Sequence, residues 1–457
     1  MVVVEANTRD IAQLNADPDV VAVFDDTPMP ASDLESTPLV GASAVSATGN
    51  DGTGTAVAIL DTGVDKAHPM LAGKVVAEAC FSATASCPNG QTTQIGAGSA
   101  VPCTYAPNGC RHGTHVAGIA AGKRTASIPF DGVAPGANII SLQIFTRIDD
   151  ATICSVTGQG AAPCALTFPS DQIAALELLG YLSLFYNVPS ANMSIGGFLF
   201  DDACDDQPLK HTIDWLRTLD VATVIAAGND SSSTSVSSPG CISTAVTVGA
   251  TTKADGFAAF SNSNPVVDIV APGVSINSSI PGGGTAFFNG TSMATPHVAG
   301  AFTLARQQYP HESIDQIQTR LVNTGPVLTD ARNGLSFHRL DILAALRSPE
   351  LTPTYSISND SNVSTVVTIP VQLSTASALP VTVRATPVSV TAMNGQDFAA
   401  APATITFAPG QTVAHYSFTV NHDSAIEGVE YALVAFNAPS NAVVGGFFGL
   451  GIVVIDD

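Results

Sequence analysis

Continuous apolar runs alternate with helix-like segments over the first three quarters of the chain. The runs are TAVAIL (55–60), ANIISLQIF (137–145), VPSANMSI (188–195), ATVIAA (222–227), TAVTVGA (244–250) and VDIVAPG (267–273). Between them lie segments such as HGTHVAGIAAG, SDQIAALELLGYL and LKHTIDWLRTLD. Strands that are apolar on both faces and separated by helices indicate a mainly parallel sheet covered on both sides. The pattern therefore predicts a three-layer α/β/α fold.

The pattern changes near residue 352. From there to residue 457 the chain has short strand-like segments at close spacing, with turn-forming stretches such as APGQ between them and no cysteine. The segments are TYSISND, TVVTIPVQL, VTVRATPVSV, ATITFAP, HYSFTVN, EYALVAF and GIVVID. This pattern predicts an all-β sandwich over 352–457, following an α/β domain over 37–348. The proline-containing link around 349–353 predicts a hinge.

Charge and length narrow the class of protein. The chain has 457 residues and a formal net charge of −22, from 16 Lys+Arg against 38 Asp+Glu. It has no basic cluster that could neutralise phosphates, so nucleic acid is not expected as a partner. No apolar run reaches the length of a membrane span. We expect a monomeric protein of two to four domains.

The cysteines indicate an oxidising compartment. Eight occur, all between residues 80 and 241. An even number in one region predicts disulfides, with Cys154–Cys164 and Cys204–Cys241 as candidate local pairs. We therefore expect a secreted protein. The opening MVVVEANTRD has neither the basic start nor the long apolar core of an export signal, so we expect that signal to lie outside this sequence.

Polar residues stand where apolar runs end or helices begin. Asp61 ends TAVAIL, His112 opens HGTHVAGIAAG, and Asn229 closes TVIAAGN. Ser292 lies in NGTSMATPHVAG among small residues, at the expected start of a helix that tolerates Pro296 in its first turn. Parallel sheets bind ligands beyond the carboxyl ends of their strands, where a serine, a histidine and a carboxylate can form a nucleophilic triad.

The residues alone leave alternatives open. Each polar residue could be a cap or turn residue, and spacing does not choose between His112 and His115. The segment CRHGTH could also hold a metal through Cys110, His112 and His115. A further alternative is a catalytically silent binding protein that acts through its β-domain.

Five segments resemble the successive signature motifs of the subtilisin family of serine proteases. They are AILDTGVDKAHP (58–69), RHGTHVAGIAAG (111–122), NMSIGG (192–197), AAGN (226–229) and NGTSMATPHVAG (289–300). The resemblance implies a serine endopeptidase in which Asp61 orients His112, His112 is general base and then acid, and Ser292 is the nucleophile. It assigns Asn229 to the oxyanion hole, beside the main-chain N–H of Ser292. It implies that His297 and His68 are structural.

The resemblance also implies how protein or peptide substrates bind. Two segments would line the cleft and pair with an extended substrate like added strands. They are Ser194, Ile195, Gly196 and Gly197, and then Ala226, Ala227 and Gly228. Because the segment after Asn229 is rich in small residues, no acidic residue is expected in the first specificity pocket. We therefore expect cleavage after apolar or aromatic residues rather than after Lys or Arg.

Residues 1–36 contain IAQLNADPDVVAVFDD, which resembles the last part of the inhibitory propeptide of these enzymes. The resemblance implies a zymogen that is cut between about Pro30 and Val40, with its own propeptide as an inhibitor. The open alternative is an edge strand that stays attached.

Metals are expected at most as structural ions, and no cofactor is expected for the chemistry. Many subtilisins have an aspartate of a calcium site at the position of Met70, so that site is expected to be absent, with disulfides stabilising the fold instead. The C-terminal region resembles the Calx-β family, in which acidic residues at one end of the sandwich bind calcium. Matching positions are Asp397, Asp423, Glu427, Glu430, Asp456 and Asp457. The alternative is a solvated acidic rim.

Overall fold

The computed structural model describes residues 36–158, 160–353, 356–359, 363–377, 379–422, 428–445 and 450–456. The predicted propeptide remnant lies almost wholly outside the described residues and stays a prediction. The described chain begins with helices α1 (Ser36–Leu39) and α2 (Ala42–Ser46). Val40 between them is fully buried, and its carbonyl accepts a hydrogen bond from Ile342 N at 2.8 Å. The predicted cleavage between about Pro30 and Val40 stays a prediction.

The α/β region contains both sheet strands and short hairpins. In chain order its strands are β1 (Ala56–Asp61), β2 (Val75–Phe81), β3 (Thr93–Ile95), β4 (Asn138–Gln143), β5 (Thr146–Ile148), β6 (Cys164–Leu166), β7 (Ser190–Met193), β8 (Leu199–Phe200), β9 (Ala222–Ala226), β10 (Val236–Ser237), β11 (Val246–Thr251), β12 (Ile269–Pro272), β13 (Ile276–Ile280), β14 (Gly284–Phe288), β15 (Val327–Thr329) and β16 (Ser336–His338). Eight of them form the central sheet, in the order β12-β11-β9-β7-β1-β4-β2-β3. All neighbours in this sheet are parallel except β2 and β3.

Helices cover both faces of the sheet. The further helices of this region are α3 (His112–Ala121), α4 (Ala151–Val156), α5 (Pro169–Leu182), α6 (Lys210–Thr218), α7 (Thr291–Gln308), α8 (Ile314–Val322) and α9 (Ile342–Arg347). Along β1, Val57 and Ile59 pack into a core with α3 and α7, whereas Ala58 and Leu60 pack into a second core with α5 and α6. Burial on both faces explains why these strands lack polar–apolar alternation. The predicted three-layer α/β/α fold is confirmed.

Disulfides join all eight cysteines. The pairs are Cys80–Cys87, Cys103–Cys110, Cys154–Cys164 and Cys204–Cys241. Both predicted local pairs are confirmed. No helix among the described residues is long and apolar enough to cross a membrane.

The C-terminal region is a sandwich of two five-stranded sheets. Its strands are β17 (Glu350–Pro353), β18 (Ser356–Asn359), β19 (Thr365–Leu373), β20 (Val381–Ser389), β21 (Phe398–Ala399), β22 (Ala403–Phe407), β23 (Val413–Val420), β24 (Glu430–Ser440), β25 (Val443–Val444) and β26 (Leu450–Asp456). One sheet has the order β21-β23-β19-β17-β25 and the other β18-β26-β24-β20-β22. Strand β19 alternates buried and exposed positions, as a strand with one face in a core must.

The link between the two regions is a strand rather than a hinge. Strand β17 pairs with β19 and β25, and Leu351 within it is fully buried. Asn441 N also donates to Asn323 O at 3.4 Å, which joins the sandwich to the end of α8. The predicted hinge at 349–353 is therefore wrong. Its prolines suggested a break, but the main chain here pairs with a strand on each side.

One buried arginine braces this junction. Arg320 on α8 is 2 % exposed, pairs with Glu312, and lies over the Tyr309 ring at 4.0 Å. Its Nη1 donates to Ser348 O at 2.9 Å, just before β17. Arg320 thus fixes the segment from which the sandwich starts.

Replacing Arg320 by alanine is expected to lower the free energy of unfolding by about 3–5 kcal/mol, because it breaks an ion pair whose arginine is buried and also removes the hydrogen bond to Ser348 O. Arg124→Ala is the matched control, since it removes an exposed ion pair with Asp131 that is worth at most about 1 kcal/mol. Urea unfolding of both variants measures the difference. Equal effects would show that the buried arginine has no special role.

Candidate active site

The carboxylate and the histidine of the predicted triad are in direct contact. Asp61 is the last residue of β1 and is fully buried, and His112 is the first residue of α3. His112 Nδ1 lies 2.9 Å from both carboxylate oxygens of Asp61. Burial of His112 disfavours its protonation, but the charge of Asp61 and the hydrogen bond outweigh it, so the pKa of His112 is raised. Asp61 thus holds the ring and favours its charged form.

Local hydrogen bonds fix this pair. Thr62 N donates to Asp61 Oδ1 at 2.7 Å, and Gly113 N donates to Thr62 Oγ1 at 3.0 Å. A side chain at Gly113 would place its Cβ only 2.5 Å from Gly63 O. The glycine after His112 is therefore required for α3 to approach the end of β1.

Ser292 is the second residue of α7, in the first turn as predicted. Pro296, however, is the sixth residue of this helix and lies beyond the turn whose N–H groups are free. Because proline has no N–H, the Ser292 carbonyl lacks its intrahelical partner. Ser194 Oγ donates to that carbonyl at 2.8 Å instead. By leaving the Ser292 carbonyl free, the proline allows a hydrogen bond between the helix and the residue that follows β7.

The Ser292 hydroxyl lies one strand away from the Asp61–His112 pair. Its Oγ donates to Ser194 O at 3.3 Å, and Ser194 directly follows β7. Strand β7 pairs with β1 in a register that continues to place Ser194 opposite Asp61. Neighbouring strands lie about 4.8 Å apart, so all three predicted triad residues occupy the same edge of the sheet. His112 and Ser292 are both half-buried.

Asn229 is held beside the main chain of Ser292. It lies three residues beyond β9, and its Oδ1 accepts hydrogen bonds from Thr291 N at 2.8 Å and Thr291 Oγ1 at 3.0 Å. Because Oδ1 is bonded to Thr291, Nδ2 lies on the opposite side of the amide. A Cβ built on Gly290 would be 3.6 Å from both Asn229 Nδ2 and Ser292 N, so the two donors border one space. The sequence analysis missed Thr291, although it directly precedes Ser292.

The two predicted cleft segments differ in what they expose. Gly196 and Gly197 are exposed, whereas Ala226 and Ala227 are buried. The main-chain groups of Ala227 are engaged inside the protein, since its N–H donates to Val248 O and its carbonyl accepts from Ser237 N. The first segment thus ends in two exposed glycines, of which Gly197 donates its N–H to Ser238 O at 2.8 Å, and the second forms a packed wall.

The segment after Asn229 begins with an acidic residue, and the expectation that no acidic residue lies in the first specificity pocket stays a prediction. Asp230 directly follows Asn229 and is exposed. Its Oδ2 accepts hydrogen bonds from Asn262 Nδ2 at 2.9 Å and Ser237 Oγ at 3.2 Å. A Cβ at Gly228, whose φ is +104°, would lie 2.1 Å from Ser237 Oγ, so only glycine allows this arrangement.

The remaining motif histidines are packed into the interior. His115 Nε2 lies 2.8 Å from Ala286 O, and burial lowers the pKa of His115 to about 3. His68 Nε2 lies 2.9 Å from Gly284 O. Cys110 is bonded to Cys103, so it is not a free thiolate and the alternative metal site in CRHGTH is wrong. Only His112 of the HGTH pair contacts a carboxylate.

Burial makes His297 a source of acid sensitivity. His297 is fully buried, Nδ1 lies 2.8 Å from Met293 O, and burial lowers the pKa of His297 to about 4. The unfolded chain binds this proton below about pH 6.5 but the native chain only below about pH 4, so acid favours unfolding. We expect His297→Gln to have a lower free energy of unfolding than its parent. This difference should shrink by about 1.4 kcal/mol per pH unit as the pH falls from 6.5 to 4. Urea unfolding in a Ser292→Ala background measures it, and a constant deficit would contradict the assignment.

The structure bears on the predicted metal sites only in part. Met70 is buried, and the loop after α3 is closed by an ion pair between Arg124 and Asp131. No group of three or more metal-ligating side chains occurs in the part of the chain that is described. Asp397 Oδ2 accepts a hydrogen bond from Met393 N at 2.6 Å. Asp423, Glu427 and Asp457 lie outside the described residues, so calcium binding by the sandwich stays a prediction.

Comparison with known families defines the class. Residues 52–340 match the model of the subtilase family, and residues 352–444 match that of the Calx-beta domain. The first match covers more than half of the chain. The chain therefore belongs to the subtilase family, the family of subtilisin-like serine proteases, and carries a Calx-beta domain.

The chain is also similar to individual subtilisins and to a solved structure. The chain is 32 % identical over 294 residues to subtilisin E of Bacillus subtilis (strain 168), covering 63 % of this chain and 65 % of that protein. It is 32 % identical to subtilisin of Bacillus pumilus over 90 % of that protein, and 33 % identical to an alkaline protease of Shouchella clausii over 74 %. Among solved structures, a cold adapted subtilisin-like serine proteinase matches 64 % of this chain and 89 % of its own, at 27 % identity and a TM-score of 0.47.

Proposed function

We propose that the protein is a serine endopeptidase in which Ser292 attacks peptide carbonyls, His112 transfers the proton and Asp61 orients His112. The observation that carries this proposal is the contact of His112 Nδ1 with Asp61 at 2.9 Å, one strand from the hydroxyl of Ser292. Membership of the subtilase family supports it.

In the first half of the reaction, Ser292 Oγ adds to the carbonyl carbon of the scissile bond while His112 Nε2 accepts the hydroxyl proton. His112 Nδ1–H stays bonded to Asp61, which stabilises the imidazolium that forms. Asn229 Nδ2 and the main-chain N–H of Ser292 donate to the oxyanion. His112 then gives its proton to the departing amine, and the acyl group remains on Ser292.

In the second half, water takes the place of the amine. His112 removes a proton from this water, the hydroxide adds to the acyl carbon, and collapse of the intermediate returns the proton to Ser292 Oγ. The cycle releases an acid and restores the starting state of all three side chains.

The Ser292 side chain must rotate before the reaction can start. Ser292 Oγ is directed at Ser194 O at 3.3 Å, so we propose that it turns toward His112 when substrate occupies the cleft. Staggered rotamers of serine differ by about 120°, which is a small motion for one hydroxyl. Catalytic hydrogen bonds are often poorly aligned before substrate binds.

We propose that Gly196 and Gly197 pair with an extended substrate, and that the segment Ala226 to Gly228 forms the wall of the first pocket. Hydrogen bonds from Asn262 and Ser237 hold the Asp230 carboxylate in place. We propose cleavage after apolar or aromatic residues, as the small residues of the segment after Asn229 predict. Peptides that vary only at this residue test it, and faster cleavage after Arg than after Phe or Leu would contradict it.

The setting we propose is extracellular, with a monomeric enzyme that needs no cofactor for its chemistry and is inhibited by its own propeptide before cleavage. Four disulfides, with no free cysteine among the described residues, support an oxidising compartment.

Hydrolysis of an unfolded protein such as casein, with and without the chelator EGTA, tests the proposed function. We expect new amino termini by mass spectrometry at equal rates in both samples, and complete inhibition by a serine-directed phosphonate. Cleavage that resists the phosphonate but stops in the chelator would show a metalloprotease instead. The absence of cleavage in a folded, disulfide-bonded sample would contradict the proposal.

A further inference from the structure

Arg111 stands directly beside the proposed general base. It precedes His112, is half-buried, and follows the loop that the Cys103–Cys110 disulfide closes. Among the described residues, none of the ion pairs between basic and acidic side chains includes Arg111. The Arg111 guanidinium can therefore form an ion pair with a substrate carboxylate without breaking an ion pair within the protein.

A stack of rings sets the position of this guanidinium. Arg111 Cζ lies 5.6 Å from the centre of the Phe288 ring, and Phe288 is stacked on the His115 ring at 4.2 Å and 14°. His115 is anchored in turn by Ala286 O. Arg111 is therefore held against the hairpin β13–β14 by its planar group, rather than extended freely into solvent.

The place of this stack suggests which part of a substrate it meets. The segments proposed to bind residues before the scissile bond follow β7 and β9. Arg111 instead directly precedes α3, and Phe288 ends the hairpin β13–β14 that packs on that helix. These elements reach the site from the side of His112, where the departing amine receives its proton.

We propose that Arg111 and Phe288 form a subsite for an acidic residue on the leaving side of the scissile bond. This inference rests on the proposed function and narrows its substrate class to peptides with Asp or Glu just after that bond. The chain carries a formal net charge of −22, which repels acidic peptides overall. Arg111 is a local positive charge within that negative field.

Quenched fluorescent peptides that differ only in the first residue after the scissile bond test this subsite. With Asp, Asn or Lys at that position, we expect kcat/KM for Asp to exceed that for Asn by about fivefold, with Lys the slowest. Arg111→Gln should bring the Asp/Asn ratio to about one while leaving the Asn peptide within about twofold. Arg111→Glu should make Lys the preferred residue. The wild-type ratio should fall at 1 M salt, because the pair is partly exposed.

Arg124→Gln is the matched control, because it removes the same charge at the opposite end of α3, about 15 Å away along the helix. This variant should keep the wild-type Asp/Asn ratio. In a second control, Asp and Asn are compared at the residue before the bond, and Arg111→Gln should not change that ratio. An unchanged Asp/Asn ratio in Arg111→Gln, or a wild-type preference for Lys, would overturn the subsite. Failure to cleave the Asn peptide at all would instead contradict the proposed function.

Discussion

Replacing Ser292 by alanine is expected to lower turnover on a peptide substrate by about 10⁶-fold, a magnitude established for loss of the nucleophile in subtilisin, a relative of this chain. The loss is large because His112 and Asp61 act on the Ser292 hydroxyl and cannot assist the reaction in this way once it is removed. The measurement is the initial rate of peptide hydrolysis at a fixed enzyme concentration, with intact mass confirming that the variant is pure.

The control for this prediction is Ser127→Ala, which removes an exposed hydroxyl in the loop after α3. It should keep full activity. Thermal unfolding of Ser292→Ala should match that of the inhibited wild type, because the hydroxyl makes a single 3.3 Å contact with Ser194 O. If Ser292→Ala retains more than about a tenth of the activity, another group is the nucleophile.

Asp61→Asn is expected to lower kcat by about 10⁴-fold while preserving the fold. The buried amide can donate to His112 Nδ1, which leaves the ring proton on Nε2. A protonated Nε2 cannot accept the proton of the serine hydroxyl. The pKa of His112 should fall as well, since the charge of Asp61 is what raises it. The pH profile of kcat/KM measures both effects in one series.

Asp65→Asn is the comparison, because this half-buried carboxylate lies in the same segment but contacts Ala67 N and Gly282 N. We expect it to change kcat by less than about tenfold. A loss in Asp61→Asn that is no larger than in Asp65→Asn would show that the contact with His112 contributes only to folding.

The sequence predicted the central strands well because they are buried on both faces. All six apolar runs lie on sheet strands, and the end of the first run at Asp61 is the end of β1. A strand that is buried on both faces has an uninterrupted apolar sequence, which can be recognised without knowing the rest of the fold. The hairpin β13–β14 gave no comparable signal, since its sequence is polar and glycine-rich. It forms through contacts with α3, of which the stack of His115 on Phe288 is one.

Within the site, the sequence predicted identities but not orientations. The contact between His112 and Asp61 follows from two element ends meeting at one sheet edge. The bond from Ser194 Oγ to Ser292 O depends on Pro296 lying deep enough in α7 to free that carbonyl. The direction of the Asn229 amide depends on Thr291 in another element. Such long-range contacts leave no local pattern in either segment.

Ser292 should owe its reactivity to a histidine that Asp61 holds. The rate at which a peptidyl phosphonate modifies the enzyme, followed by intact mass from pH 5 to 9, tests this most directly. We predict one adduct, on Ser292, formed at a rate that rises with pH through a midpoint above 6.5, as the raised pKa of His112 requires. An adduct on any other residue, or a rate at Ser292 that does not change with pH, would contradict it.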